Sequence, residues 1–136
     1  MVFPIVQGGH WTSIHVDFMR HQILHYNSMA TARNKRQTQR EMELVLAYLK
    51  QEHKQFKVNT DFPEWELKDL AKTVPQQKDG RACGVFTCAY ALFKIMGLPL
   101  NFEQCDIPTL RRRLALFIVE QQLPSIELPS IELPSI

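Results

Sequence analysis

Cys83, His10 and the neighbouring amides Gln76 and Gln77 are the side chains whose types and spacing point to chemistry. The segment VPQQKDGRACGVFTCAYALF, Val74 to Phe93, reads as a polar, glycine-containing loop that ends at Cys83 and runs into an apolar helix. A thiol at a helix N-terminus faces unpaired backbone N–H groups and the positive end of the helix dipole, and both favour thiolate. Gln76 and Gln77 lie just upstream and could aim an amide back at the sulfur. An amide donor beside a backbone N–H is half of an oxyanion hole. A nucleophile also needs a base. Of the five histidines (His10, His15, His21, His25, His53), only His10 follows a Gly-Gly turn and precedes a tryptophan, Trp11. The competing reading of Cys83 is a small buried hydrophobe beside Val85, Phe86 and Ala89. The polar approach QQKDGRA argues for the nucleophile. Cys88 reads as a core thiol and Cys105 as a loop thiol.

Several elements must position these groups. Val2 to Val6 reads as a strand, interrupted by Gly8-Gly9. His10 to Phe18 is a second strand, with Thr12, Ile14, Val16 and Phe18 on the His10 face. After a turn at Met19 to His21, Gln22 to Asn27 returns as its partner. A two-residue turn sets Asn27 opposite Thr12 or Ile14, on the His10 face, whereas a three-residue turn reverses the facing. Ser28 to Lys35 is a polar connection. A helix follows from about Arg36 to Lys54, with Thr38 and Glu41 as a capping box and Met42, Val45, Leu46 and Leu49 as its apolar stripe. Asn59 to Pro63 is a turn, and Trp65 to Leu70 alternates as a further short strand. The helix after Cys83 ends at Gly97, with Pro99 behind it. A last helix starts near Pro108 and carries Leu110, Leu114, Phe117 and Ile118 on one side. The expected class is α+β, antiparallel strands with about three helices, one of them buried.

Length, charge and cysteine use narrow the function classes. A chain of 136 residues suits one domain with one modest core. A formal net charge of +2 is too small to argue for nucleic acid. The basic residues Arg33, Lys35, Arg36, Arg40 and Arg111 to Arg113 read as solvated faces offset by glutamates. No apolar run reaches the roughly 18 residues of a membrane span, and no signal peptide is visible. Three cysteines without CxxC spacing indicate neither a disulfide framework nor a zinc site, so no metal or cofactor is expected. The default compartment is a reducing one, cytosol or nucleus, and the default state a monomer. From Leu123 the chain reads LPSIELPSIELPSI, with a proline every five residues. That excludes a helix, and residues 123–136 are expected to form a disordered or polyproline-like tail behind a domain of residues 1–122.

With His10-Trp11, HYNSM at 25–29 and VPQQKDGRACGVFTCAYA at 74–91 in view, the chain resembles the ubiquitin-like-protein-specific proteases. These are the Ulp or sentrin-specific (SUMO) cysteine proteases, papain-like in fold and chemistry. Asn101-Phe102 and Ile-Pro-Thr-Leu-Arg from Ile107 fall in family order, so the resemblance runs from about Val2 to Leu123, the C-terminal part of a longer catalytic domain. It implies Cys83 as nucleophile and His10 as general base and acid. Gln77 would be the oxyanion donor, together with the Cys83 backbone N–H. Trp11 would be the lid over a narrow tunnel for a Gly-Gly tail, with Gln76 placed beside the substrate. The implied function is cleavage after Gly-Gly of a SUMO-like modifier, from its precursor or from a target lysine. Two positions depart from the family pattern. Asn27 stands where an aspartate is usual, its carbonyl left to accept from the imidazole Nδ1–H as in Cys-His-Asn enzymes, and Ala82 precedes the cysteine in place of an aspartate. These departures keep an alternative open: an impaired protease that serves as a modifier-binding module. A third reading is a viral- or transposon-type processing protease on the same scaffold.

Overall fold

Two glycines close the first hairpin. Gly8 (φ +57°) and Gly9 (φ +79°) both take left-handed backbone, as the two-residue turn that matches strand twist requires, and Gln7 pairs with His10 across them. In the computed structural model, which describes residues 1–31, 34–56 and 61–120, this turn joins β1 (Val2–Gln7) to β2 (His10–Asp17). The chain continues through β3 (Gln22–Tyr26), α1 (Lys35–Gln55), β4 (Glu66–Asp69) and α2 (Cys83–Ile95). A 3₁₀ turn (Gln104–Asp106) then leads into α3 (Ile107–Glu120).

The β2–β3 turn is set by Asp17. Its Oδ1 accepts the backbone N–H groups of Met19 and Arg20, each at 3.1 Å, and His21 takes φ 49°. β2 therefore stops at Asp17. Phe18, expected on its inner face, lies in the turn, 49% exposed, with its ring edge-on to Trp65. Ser13 pairs with Tyr26, so one further step sets Asn27 against Thr12, the first of the two registers that keep it on the His10 face.

β4 departs from the antiparallel expectation. It lies parallel to β3, Ile23 against Leu67, because α1 carries the chain back over the sheet, as a parallel neighbour requires. The result is a mixed sheet in the order β1-β2-β3-β4 within an α+β architecture. The cap of α1 also differs from expectation. Asn34, not Thr38, is the N-cap, its side chain accepting from the N–H of Arg36 (3.1 Å) and Gln37 (3.2 Å). Thr38 is buried inside the helix, and Glu41 is bound by Gln37 at 2.9 Å.

The sheet has a core on each face. Ile14, Val16 and Ile23 meet Met42 and Leu49 of α1, with Val45 and Leu46 alongside, as the helical spacing predicts. On the other face Leu24 and Tyr26 meet Phe86, Ala89, Tyr90 and Phe93 of α2. Phe102 inserts among them, its ring 5.6, 5.8 and 5.1 Å from those of Phe86, Tyr90 and Phe93. Each such buried ring contributes about 2–3 kcal/mol, so the segment read as a plain connection is an anchor. Cys88, expected in this core, is exposed. It lies about 200° round the helix from Phe86, opposite the buried row. α2 ends with Gly97 at φ +68°, where Leu98 N–H bonds Phe93 C=O at 2.8 Å. On α3, Leu110 is buried and Leu114 packs against the core, but Ile118 is 74% exposed. Eight residues on from Leu110 is about 80° off its face. The LPSIE segment and part of the Asn59–Pro63 turn fall outside the described residues.

Candidate active site

Cys83 is the first residue of α2, as the loop-to-helix reading predicts, and it is buried, 7% exposed. The first intrahelical bond of this end runs from Phe86 N–H to Ala82 C=O, which leaves the N–H groups of Cys83, Gly84 and Val85 without a helical acceptor. Ala82 has no side chain to cap the helix. Asp79, three residues upstream, instead closes the loop that leads into the helix. Its Oδ1 accepts from Arg81 N–H (2.8 Å) and Ala82 N–H (2.9 Å), and its Oδ2 from Gln104 Nε2 (2.7 Å). Those donors, led by Arg81 N–H, and the nearby Arg111 charge hold the Asp79 carboxyl below its usual range.

The loop before the cysteine is pinned at several points along its length. Tyr90, one helical face behind Cys83, donates its hydroxyl to Pro75 C=O. Burial pushes that phenol well above its ordinary value, so it remains a donor. Gln76 Oε1 accepts Ala30 N–H at 2.8 Å, while its Nε2 reaches Ala71 C=O (2.8 Å) and Val74 C=O (3.0 Å), with Asn27 C=O at 3.2 Å and Pro75 C=O at 3.3 Å. Two amide hydrogens shared over four carbonyls leave nothing for the sulfur or a ligand. Gln76, expected beside the substrate, is instead the staple between the end of β3 and the loop. Gln77 is placed differently. Ser28 Oγ donates to its Oε1 at 2.6 Å and its backbone N–H meets Ser28 C=O at 2.9 Å, which fixes the amide so that oxygen faces Ser28. Its Nε2 has one protein acceptor, Asp79 C=O, and a second hydrogen to give.

His10, half-buried at the start of β2, has its Nε2 2.9 Å from Asn27 Oδ1. The same Oδ1 accepts Met29 N–H at 2.8 Å. A backbone N–H can only donate, so it identifies this atom as the oxygen; the imidazole must then donate from Nε2, leaving Nδ1 as the acceptor. The sequence reading had Nδ1–H on Asn27; the geometry reverses the two nitrogens. Among the described residues His10 makes no hydrogen bond to the Cys83 thiol, a looseness common to unliganded sites. Trp11, 41% exposed, lies against the first turn of α2, its Cδ1 3.7 Å from where a Cβ on Gly84 would stand. The two ends of the constellation, His10-Trp11 and Cys83-Gly84, are thereby adjacent.

Ser28, Asp79, Tyr90 and Gln104 were not picked out in the sequence. Asp79-Gly80 carries a turn signal that points to the first of them in the loop. The others act across elements and have no local signature. A cavity of about 380 Å³ opens on the α1 side of the His10–Asn27 pair, with Thr12, His25 and Glu41 in its wall. No group of three or more His, Cys, Asp or Glu that could hold a metal ion occurs among the described residues.

A cysteine at a helix N-terminus and an amide-held histidine at a strand end stand together on an α+β scaffold whose fold is that of Ulp1-type protease domains. The model for the Ulp1 protease family, C-terminal catalytic domain, matches residues 1–123, and this chain belongs to that family. It is 32% identical to sentrin-specific protease 2 of Mus musculus over 126 residues, 90% of this chain and 20% of that protein. A sentrin-specific protease of Caenorhabditis elegans is 24% identical over 90% of this chain and 17% of its own length. Among solved structures, SUMO protease Ulp1 with its catalytic cysteine oxidised to a sulfenic acid superposes with a TM-score of 0.72 at 25% identity. That match covers 90% of this chain and 53% of the other. The Ulp1 protease domain in complex with Smt3, the yeast ortholog of SUMO, gives 0.69 at 25% identity, again over 90% and 53%. The chain thus spans about a fifth of the curated relatives and about half of the solved chains it matches.

Proposed function

We propose that this chain is the C-terminal portion of a cysteine peptidase that cleaves after the Gly-Gly of a SUMO-like modifier, both in precursors and in lysine conjugates. The observation that carries the reading is the double acceptor role of Asn27 Oδ1, which presents His10 Nδ1 as the free base. In this reading Nδ1 takes the Cys83 proton, and the thiolate, favoured by the α2 N-terminus, attacks the carbonyl carbon of the second glycine. The oxyanion is received by the Cys83 N–H and the spare Gln77 Nε2 hydrogen. His10 returns the proton to the leaving nitrogen, and water then releases the modifier from the thioester by the same base. Trp11 lies against Gly84 beside the nucleophile, and in this reading the two border a passage that only residues without side chains can enter. In this reading the protein works as a monomer on modifier conjugates in the cytosol or nucleus.

A second reading, a modifier-binding module with little turnover, is favoured by the neutral Asn27, which orients the imidazole without stabilising its cation. Incubation with a SUMO precursor that carries a C-terminal extension separates the two. The peptidase reading expects release of the extension by wild type and none by Cys83→Ala. Capture of the precursor without release by a folded wild type favours the module.

A further inference from the structure

The cavity beside the His10–Asn27 pair has no part in the steps above. Its wall holds His10, Thr12, His25 and Asn27 from the sheet side and Gln37 and Glu41 from α1, and it does not include Cys83. Strand alternation explains this. Ile14 and Val16 pack under α1, so His10 and Thr12 point to that face, while Trp11 meets Gly84 and His15 stacks on Tyr26 on the α2 face. The Gly-Gly side of a scissile bond, under Trp11, and this cavity therefore lie on opposite faces of the same strand end.

We propose that the cavity is the leaving-group subsite: it takes the lysyl side chain from the amine side of the scissile bond, with Glu41 receiving the ε-ammonium. This deepens the peptidase reading and rests on it. His10 Nδ1–H protonates the departing nitrogen as the carbonyl C–N bond breaks, the nitrogen keeping that bond's electron pair. The neutral amine then takes a second proton from water. The nitrogen is consequently released at the imidazole, on whose α1 side the cavity opens. Titratable groups in the cavity wall are His10, His25 and Glu41; the remaining wall residues Gln7, Thr12, Asn27, Met29, Asn34, Gln37 and Thr38 are uncharged. Glu41 is the one carboxylate among them. Its Oε1 accepts from Gln37 at 2.9 Å and its Oε2 lies 3.3 Å from His25 Nε2, its side chain 12% exposed. Two carboxylate oxygens carry about four lone-pair sites, so an ammonium can be added to these contacts. Met29 offers an apolar surface for the stem.

The test is a titration of the protein with Nα-acetyl-lysine methylamide, read by backbone amide chemical shifts, with the norleucine analogue as the uncharged control. Expected are saturable shifts at Thr12, Gln37, Thr38 and Glu41, weaker by about tenfold in affinity for Glu41→Gln and for the norleucine compound. Glu41→Gln keeps the shape of the side chain and its Gln37 contact. Shifts elsewhere, equal shifts with both compounds, or none at saturating amine overturn the proposal. Labelling of Cys83 by a modifier electrophile reads the peptidase function by itself. A labelled protein with a silent cavity would sink the subsite and leave the enzyme standing.

Discussion

β2 carries two histidines five residues apart, each with a polar partner, and they have opposite uses. His10 sits at the strand end, half-buried, its Nε2 on Asn27 Oδ1 and its Nδ1 left as the acceptor. His15 sits in the strand middle, 5% exposed, its Nε2 3.0 Å from Ser13 Oγ and its ring stacked 4.2 Å from Tyr26. Its Nδ1 is buried and has no hydrogen-bond partner among the described residues. Burial, with the Lys94 and N-terminal charges added, lowers the His15 pKa to about 4, so it is a neutral core ring at any working pH. The difference teaches that a partner does not make a histidine chemical. In the proposed reading, what counts is a partner that fixes the tautomer and leaves the other nitrogen as an acceptor.

The comparison can be broken in four ways. His10→Ala should cost about 10³ in turnover of a modifier substrate, the usual size of an acid–base contribution, whereas His15→Gln should change it by less than about twofold. Stability should show the reverse order. Between pH 6.5 and 4 the unfolded chain binds a proton at residue 15 that the folded chain refuses, so stability falls as pH falls through that window. The loss amounts to about 3 kcal/mol, and below the folded pKa it levels off. Urea unfolding as a function of pH should show this slope in wild type and lose it in His15→Gln. Gln76→Ala should destabilise by about 2 kcal/mol, because it strands Ala30 N–H and the Ala71 and Val74 carbonyls. Its activity should fall in parallel as the loop loosens. Asn27→Asp is the smallest change. It places a full negative charge beside the imidazole, stabilising its cation, and should speed iodoacetamide alkylation of Cys83 at neutral pH by about tenfold. An unchanged rate would show that orientation alone matters at position 27.

Much of this architecture was legible in the sequence because its signals are local. The Gly8-Gly9 turn, the apolar stripe of α1, Cys83 at a helix start and Gly97 at its end each follow from neighbouring residues. Where sequence and structure part, the deciding contact is distant or conformational. Asn34 outcompeted Thr38 as cap because its side chain sits in extended backbone and reaches two N–H groups at once. Gln76 and Gln77 are chemically identical neighbours, and only the partners Ala30 and Ser28, 46 and 49 residues away, set their different hydrogen bonds. The parallel pairing of β4 and the outward face of Cys88 depend in the same way on how helices cross the sheet. The His10 tautomer is hidden for a related reason: it follows from the ring's orientation toward Asn27 and from Met29 N–H, a backbone group with no trace in residue type.

The central claim is that His10, Asn27, Gln77 and Cys83 form a working thiol site on this scaffold. The most direct measurement is incubation of the folded protein with SUMO that carries a C-terminal electrophile, followed by mass spectrometry of the adduct. The account predicts one adduct, on Cys83, absent in Cys83→Ala and strongly slowed in His10→Ala, with Cys88 and Cys105 untouched. Labelling of exposed Cys88 at a similar rate, or no adduct on Cys83 from a folded protein, would contradict it.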